Sequence, residues 1–238
     1  MTKFSQIGFL TSLALLLAVS IATAESPTKS ARWAKAMETF AAEDAKHPTD
    51  PGGVVFVGSS SIRLWDLPKS FPDLKPPALN RGFGGSQLED SIRHLELLVL
   101  KHKPRLVFIY AGDNDIAAGK DAERVVKDFQ TLTSRIHKTL PKARIAFIAI
   151  KPSLARLKLA DTMVEANGQI AQLCAKREEL EFIDVWKPML GNDGQPRPEL
   201  FRNDGLHLND AGYKLWNSLV APVLEPRLES TAQREREQ

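Results

Sequence analysis

The chain has 238 residues, of which 43% are hydrophobic and 26% are charged, and its formal net charge is +3. This composition is that of a globular protein, and the length suffices for one substantial core or two small ones. Lysines and arginines are interspersed with acidic residues along the predicted helices, so the sequence excludes a basic nucleic-acid-binding surface. No internal repeat or linker divides the chain.

The N-terminus has the pattern of a secretory signal peptide. Lys3 precedes an apolar run over residues 7–21 that closes with Ala22-Thr23-Ala24, a small-x-small cleavage site. We predict cleavage after residue 24 and an exported protein, periplasmic or secreted. An uncleaved anchor is the alternative, but the apolar run is shorter than the roughly 20 residues of a spanning helix. The mature chain is therefore expected to have no stable membrane insertion.

Short apolar runs bounded by turn residues predict buried strands. In chain order these runs cover residues 54–57, 78–82, 106–110, 145–150 and 182–185. Helical spacing of apolar residues predicts helices over about 30–46, 88–98, 121–140, 159–175 and 213–223. Alternating strands and helices predict one doubly wound, three-layer α/β/α domain with a parallel sheet, spanning residues 25–225. Residues 226–238 are predicted to form a charged, flexible tail.

Cys174 is the only cysteine, so an internal disulfide is impossible. It lies on an apolar face of the helix predicted over residues 159–175. We therefore predict a buried, inert thiol.

Three consecutive serines, Ser59 to Ser61, follow the first predicted strand. In open parallel sheets, ligands bind beyond the carboxyl ends of the strands, so a serine at this place is a candidate nucleophile. The alternative is that these hydroxyls cap the next helix, because serine oxygens accept hydrogen bonds from free helix N–H groups. The residues alone leave both interpretations open.

The glycine-rich loops do not fit a nucleotide site. Gly58 is followed by Ser59 and not by the lysine of a P-loop, and the loop that begins with Gly82 lacks the last glycine of a dinucleotide fingerprint. Asp113 and Asp115 resemble the start of a calcium loop, but alanines occupy the next ligand and turn-glycine positions. We predict no metal and no organic cofactor.

Asp204 and His207 lie in a loop directly before the last predicted helix. An aspartate this close to a histidine can accept a hydrogen bond from the ring, which selects one tautomer and favours the protonated form. The alternative is an ordinary Asn-Asp-Gly turn beside a surface histidine.

Taken together, the motifs resemble those of the SGNH hydrolases, the superfamily of GDSL-type esterases. Four blocks match in order: Gly58-Ser59-Ser60-Ser61, Asn80-Arg81-Gly82-Phe83-Gly84-Gly85, Gly112-Asp113-Asn114-Asp115 and Asp204-Gly205-Leu206-His207. The resemblance spans residues 54–224 and implies a flavodoxin-like α/β/α sandwich with a five-stranded parallel sheet. The second and third blocks are most similar to the acetylhydrolase and acetylesterase branch.

The resemblance also implies roles for individual residues. Ser60 would be the nucleophile, His207 the general base and Asp204 its orienting partner, while the N–H groups of Ser60 and Gly85 and the amide of Asn114 would form the oxyanion hole. The choices of Ser60 among three serines and of Gly85 over its neighbouring glycine depend on register. Ser59 replaces the family's usual aspartate, which the triad does not use, so activity is expected to survive.

The predicted function is an exported serine ester hydrolase that acts through an acyl-enzyme on a small-molecule or glycan ester, with a short-chain or sugar O-acetyl group. The alternatives are a lysophospholipase or thioesterase-type acylhydrolase and a non-catalytic glycan-binding module of the same fold. The sequence leaves open whether the loops over 68–77 and 191–198 close over the substrate.

Overall fold

The computed structural model describes residues 27–225. The predicted signal peptide, residues 1–24, and the predicted tail, residues 226–238, lie outside the described residues. Within the described range, no helix combines the length and the apolar composition that crossing a membrane requires.

A sheet of five parallel strands forms the centre of the described chain. The strands are β1 Val54–Gly58, β2 Leu79–Gly82, β3 Leu106–Tyr110, β4 Arg144–Ile148 and β5 Leu180–Ile183. Their order is β2-β1-β3-β4-β5, and each neighbouring pair is parallel. The predicted five-stranded parallel sheet is confirmed.

The helices cover both faces of this sheet. Helices α1 Pro27–Lys46, α4 Leu88–Arg93, α5 Leu95–Leu98, α6 Asp113–Ala117, α7 Ala122–Thr139 and α8 Ala160–Cys174 contribute to the apolar core on one face. Helices α2 Ser60–Arg63, α3 Leu67–Ser70 and α9 Asp210–Leu224 contribute to the core on the other face. The predicted three-layer α/β/α architecture is therefore confirmed.

Strands β1 and β3 are buried along their whole length, and β4 is buried from Ile145 onward, because both of their faces pack against helices. In β1, Val55 and Val57 join the core beneath α7, whereas Val54 and Phe56 join the core beneath α9. This two-sided burial explains why the buried part of each of these strands is a continuous apolar run and not an alternating pattern.

Several element boundaries differ from the prediction, among them that of β5, which covers Leu180–Ile183 and not 182–185. The helix expected over 88–98 is interrupted at His94, which separates α4 from α5. Strand β4 ends at Ile148, and the backbone N–H and C=O of Ile150 bond instead to the side chain of Asn167 at 2.8 Å each. Helix α2, a single turn outside the predicted helix ranges, begins directly after the first strand, at Ser60, because the carbonyl of Ser59 already accepts helical bonds.

The chain changes direction between β1 and β3. From β1 it continues to the edge strand β2, whereas from β3 it continues through β4 to the opposite edge, β5. Such a switch point leaves a crevice beyond the carboxyl ends of the two strands. The loops that leave β1 and β3 carry the serines and Asn114.

Candidate active site

Gly58 brings the end of β1 into close contact with β3. A Cβ atom at this position would lie 1.9 Å from the carbonyl oxygen of Tyr110, so a larger residue would push the two strands apart. The next residue, Ser59, donates its backbone N–H to the same carbonyl at 3.1 Å. The start of α2 is therefore placed directly at the switch point.

Burial distinguishes the three serines. Ser59 and Ser61 are buried, and the hydroxyl of Ser59 has no hydrogen-bond partner among the described residues. Ser60 is only half-buried, and its Oγ lies 3.1 Å from Nε2 of His207. The structure thus brings Ser60, and not its neighbours, to the histidine.

The loop that carries Asp204 and His207 is a closed turn. Phe201 and Leu208 pair in an antiparallel bridge, and the N–H of Arg202 donates to the carbonyl of His207 at 2.8 Å. Asn209, the N-cap of α9, donates its side-chain amide to the carbonyl of Phe201 at 2.9 Å. These bonds hold the loop against the start of α9.

Asp204 contacts His207 through both carboxylate oxygens. Oδ2 lies 2.6 Å from Nδ1 of His207, and Oδ1 accepts from the backbone N–H groups of His207 and Leu206 at 2.9 Å each. The hydrogen bond to the His207 side chain, followed by those two backbone bonds, holds the pKa of the Asp204 carboxyl well below its usual range. The carboxylate is consequently ionised at neutral pH and orients the ring towards Ser60.

The residues predicted for the oxyanion hole lie close to one another. Gly85 has a φ of +76°, a conformation that favours glycine, in the loop after β2. The adjacent carbonyl, that of Ser86, accepts a hydrogen bond from Nδ2 of Asn114 at 3.0 Å. Because an amide nitrogen carries two hydrogens, Asn114 keeps a second donor for a substrate.

Residues 66–215 match the model of the GDSL-like lipase/acylhydrolase family. The chain belongs to this family. The matched segment contains Gly85, Asn114, Asp204 and His207, and Ser60 lies just before it. The resemblance to SGNH hydrolases is thereby confirmed. No curated protein matches this chain by sequence.

Solved structures show the same fold at low identity. One is a Streptococcus pneumonia protein provisionally described as a platelet activating factor (TM-score 0.72, 18% identity, covering 84% of this chain and 100% of that chain). Another is a GDSL-like lipase from Bacteroides thetaiotaomicron (TM-score 0.68, 21% identity, covering 81% of this chain and 98% of that chain). A third is a mutant of an acetylxylan esterase from Geobacillus stearothermophilus (TM-score 0.60, 14% identity, covering 74% of this chain and 95% of that chain). All three support the α/β fold assigned above.

A buried cluster of charged and polar side chains lies next to Asn114, and the sequence analysis did not predict its contacts. Lys151 is 1% exposed, and its Nζ lies 3.2 Å from the Tyr110 hydroxyl and 3.6 Å from Oδ2 of Asp113. Arg156 Nη1 forms an ion pair with the same Asp113 oxygen at 3.1 Å, and Arg156 Nη2 donates to Oδ1 of Asn114 at 3.0 Å. Burial lowers the pKa of Lys151. The only sequence signal for this cluster was that Lys151 directly follows the strand predicted over residues 145–150, and the segment Lys151-Pro152-Ser153 equally suits an ordinary turn.

The aspartates of the third block have cationic partners from the chain itself. Asp113 contacts Lys151 and Arg156, and Asp115 accepts from Lys120 Nζ at 2.9 Å. Asp115 also accepts from the N–H of Leu88 at 3.2 Å and so joins α6 to the start of α4. These contacts give both carboxylates a structural role in the described chain.

Cys174 is buried, as predicted, and burial raises the pKa of its thiol to about 11. The thiol therefore stays protonated at neutral pH, which makes it a poor nucleophile.

An open cleft of about 760 Å³ lies beside the Asp204 loop. It is lined by Leu154 and by the loop over residues 190–199, in which all of the segment 191–198 except Gly194 contributes to the lining. Leu154 is 40% exposed, and it would contact a Cβ atom at Gly205 at 3.1 Å. Leu154 therefore places one apolar side chain of the cleft next to the Asp204 loop.

Proposed function

We propose that the protein is a serine ester hydrolase that acts through an acyl-enzyme, with Ser60, His207 and Asp204 as its catalytic triad. The observation that carries this proposal is the chain of contacts of 3.1 Å and 2.6 Å that joins Ser60 Oγ, the His207 ring and Asp204. A neutral serine needs such a base to accept its proton as it attacks. Family membership supports ester hydrolysis as the reaction.

In the proposed reaction, Ser60 Oγ attacks the ester carbonyl carbon while Nε2 of His207 accepts the serine proton. The tetrahedral intermediate then collapses, the bond to the leaving oxygen breaks, and His207 protonates the departing alcohol. Water attacks the acyl-enzyme with His207 again as the base. The carboxylic acid leaves, and Ser60 recovers its proton. Asp204 stabilises the imidazolium in both halves of the reaction.

We propose that the oxyanion of the intermediate is stabilised by the N–H groups of Ser60 and Gly85 and by the side-chain amide of Asn114. Donors that are oriented before the reaction stabilise developing charge without reorganisation at the transition state. The bonds of Asn114 to Ser86 and Arg156 provide this orientation.

The proposed substrate is a short-chain or sugar O-acetyl ester, and the proposed location is outside the cytoplasm. The signal-peptide pattern over residues 1–24 supports export. N-terminal sequencing of the protein recovered from the medium or periplasm would test cleavage after Ala24. A mature N-terminus at any other residue would contradict that assignment.

Ser60→Ala tests the nucleophile. We expect this variant to lose release of acetate from phenyl acetate and to lose covalent labelling by a fluorophosphonate, because no other serine faces His207 in the described chain. Ser59→Ala is a matched control, since the hydroxyl that it removes is buried and has no hydrogen-bond partner. Hydrolysis by Ser60→Ala at the parental rate would refute the proposal.

A further inference from the structure

Arg63 lies beside the loop of the proposed oxyanion hole. It is the last residue of α2, three positions after Ser60, and residues at this spacing share one face of a helix. A Cβ atom at Gly84 would lie 3.1 Å from Nε and 3.3 Å from Nη2 of Arg63. The exposed Arg63 side chain therefore runs along the glycine loop at the mouth of the site.

Arg32 approaches the same loop from α1. Its guanidinium stacks on the ring of Trp33 at 4.5 Å, and Trp33 in turn packs edge-on against Phe83 at 5.3 Å. A Cβ atom at Gly85 would lie 2.9 Å from Nη2 of Arg32. Stacking on Trp33 thus holds this second guanidinium next to the residue that is proposed to donate to the oxyanion.

Neither guanidinium is neutralised within the described residues. Arg32 and Arg63 have no ion pair or side-chain hydrogen bond there, although most other arginines of the described chain do. The site's carboxylates are already engaged, because Asp113 pairs with Lys151 and Arg156 while Asp204 pairs with His207. Two adjacent positive charges at the mouth of the site are left for a ligand.

We propose that Arg32 and Arg63 form an anion subsite, so that the substrate is an ester with a carboxylate or phosphate near the scissile bond. This inference rests on the proposed esterase function and defines its substrate class. A guanidinium is planar and always charged, and its donors match the oxygens of carboxylates and phosphates. A neutral acetyl ester would leave both charges without a partner.

The test compares acetate esters that differ in charge. The probes are 4-acetoxybenzoate and 4-acetoxyphenyl phosphate, with 4-acetoxybenzamide as the neutral ester, and the readout is the ratio of kcat/KM for each anionic ester to that for the neutral one. For Arg63→Gln and Arg32→Gln we expect this ratio to fall about tenfold each, which equals about 1.4 kcal/mol. Differences in the esters' intrinsic reactivity cancel because each ratio is compared with that of the parent.

Arg135→Gln is the control for loss of one positive charge. Arg135 lies near the C-terminal end of α7, at the edge of the sheet where the strands begin. The Arg135→Gln variant should therefore have the same anionic-to-neutral ratio of kcat/KM as the parent. The anionic ester, carboxylate or phosphate, whose ratio decreases more in the Arg32 and Arg63 variants identifies the preferred anion. Parental ratios in both site variants would overturn the subsite.

A second measurement needs no variant. Attraction between exposed charges is screened over about 10 Å at 0.1 M salt. The anionic-to-neutral ratio of kcat/KM for the parent enzyme should therefore decrease as sodium chloride is raised from 0.02 M to 0.5 M. A constant ratio would count against the subsite. Failure of the parent to hydrolyse any of the three esters would instead refute the esterase proposal, so the two failures are distinguishable.

Discussion

Both ends of the Asn114 side-chain amide are occupied. The nitrogen donates to the Ser86 carbonyl at 3.0 Å, and the oxygen accepts from Arg156 Nη2 at 3.0 Å. These two bonds determine which end of the amide is the donor facing the site. A cation on the oxygen also draws electron density from the nitrogen, which strengthens its remaining N–H as a donor.

We expect Asn114→Ala to lower kcat by about 10²- to 10³-fold, the usual effect of removing one oxyanion donor. Arg156→Ala should lower kcat by about tenfold, with little change in KM, because it acts through that donor. Steady-state kinetics of the single and double variants would measure the coupling. The double variant should be no slower than Asn114→Ala, and additive losses would contradict a positioning role for Arg156.

The low pKa of Asp204 makes a prediction about stability. A carboxyl group whose pKa is lower in the folded state stabilises the fold above its unfolded value, about 3.9, and this contribution is lost as the pH falls towards the folded value. Asp204 is 48% exposed, so solvent screening limits the effect of Asp204→Asn to about 1 kcal/mol at pH 7.

Urea unfolding of Asp204→Asn and the parent at pH 7, 5 and 3 would measure this effect. The difference between their free energies of unfolding should be the same at pH 7 and 5 and smaller at pH 3. An undiminished difference at pH 3 would show that the ionised carboxylate is not its source.

At the scale of elements, the contact of β1 with β3 depends on Gly58. Gly58→Ala would place a methyl group against the Tyr110 carbonyl, and we expect a loss of more than about 3 kcal/mol or failure to fold. Gly119→Ala is the matched control. Gly119 also has a positive φ, +92°, but a Cβ atom there meets nothing within 4 Å, so its cost should be about 1 kcal/mol. Similar thermal midpoints for the two variants would contradict the steric argument.

The elements were predictable where burial is continuous. Strand β3 matches its predicted range because all five of its residues are buried between two helix layers. The break at His94 was not predictable, since the apolar spacing continues from α4 into α5 through residues that pack on the same core. Periodicity reports which face of a helix is buried and does not report where its axis bends.

The candidate site was only partly predictable. Ser60, Gly85 and Asn114 follow strands β1, β2 and β3, so their meeting at one edge followed from the parallel order, whereas Asp204 and His207 come from the loop between β5 and α9. Local sequence pattern does not distinguish the three adjacent serines, and the choice of Ser60 depended on the register of the family resemblance; in the structure, Ser59 and Ser61 are buried and Ser60 contacts His207. The contact of Lys151 with Asp113 joins two strand ends that are far apart in the chain, so no local pattern indicates it.

At the scale of the whole molecule, one sheet separates two apolar cores. Trp33 and Trp186 pack on one core, and Trp65 and Trp216 belong to the other. Because both cores share the same five strands, neither can lose its packing alone, and we expect one cooperative unfolding transition. Urea unfolding followed by tryptophan fluorescence and by far-UV circular dichroism should give the same midpoint. Separate midpoints would mean that one helix layer detaches before the other.

The contact between Ser60 and His207 joins residues 147 positions apart in the chain. On the proposed mechanism, Ser60 becomes reactive only after β1, β3 and the segment before α9 have assembled around it. Covalent tagging of this serine would then count native molecules in a mixture, during refolding or in a cell extract. The protein would in this way carry a built-in reporter of its own folded state.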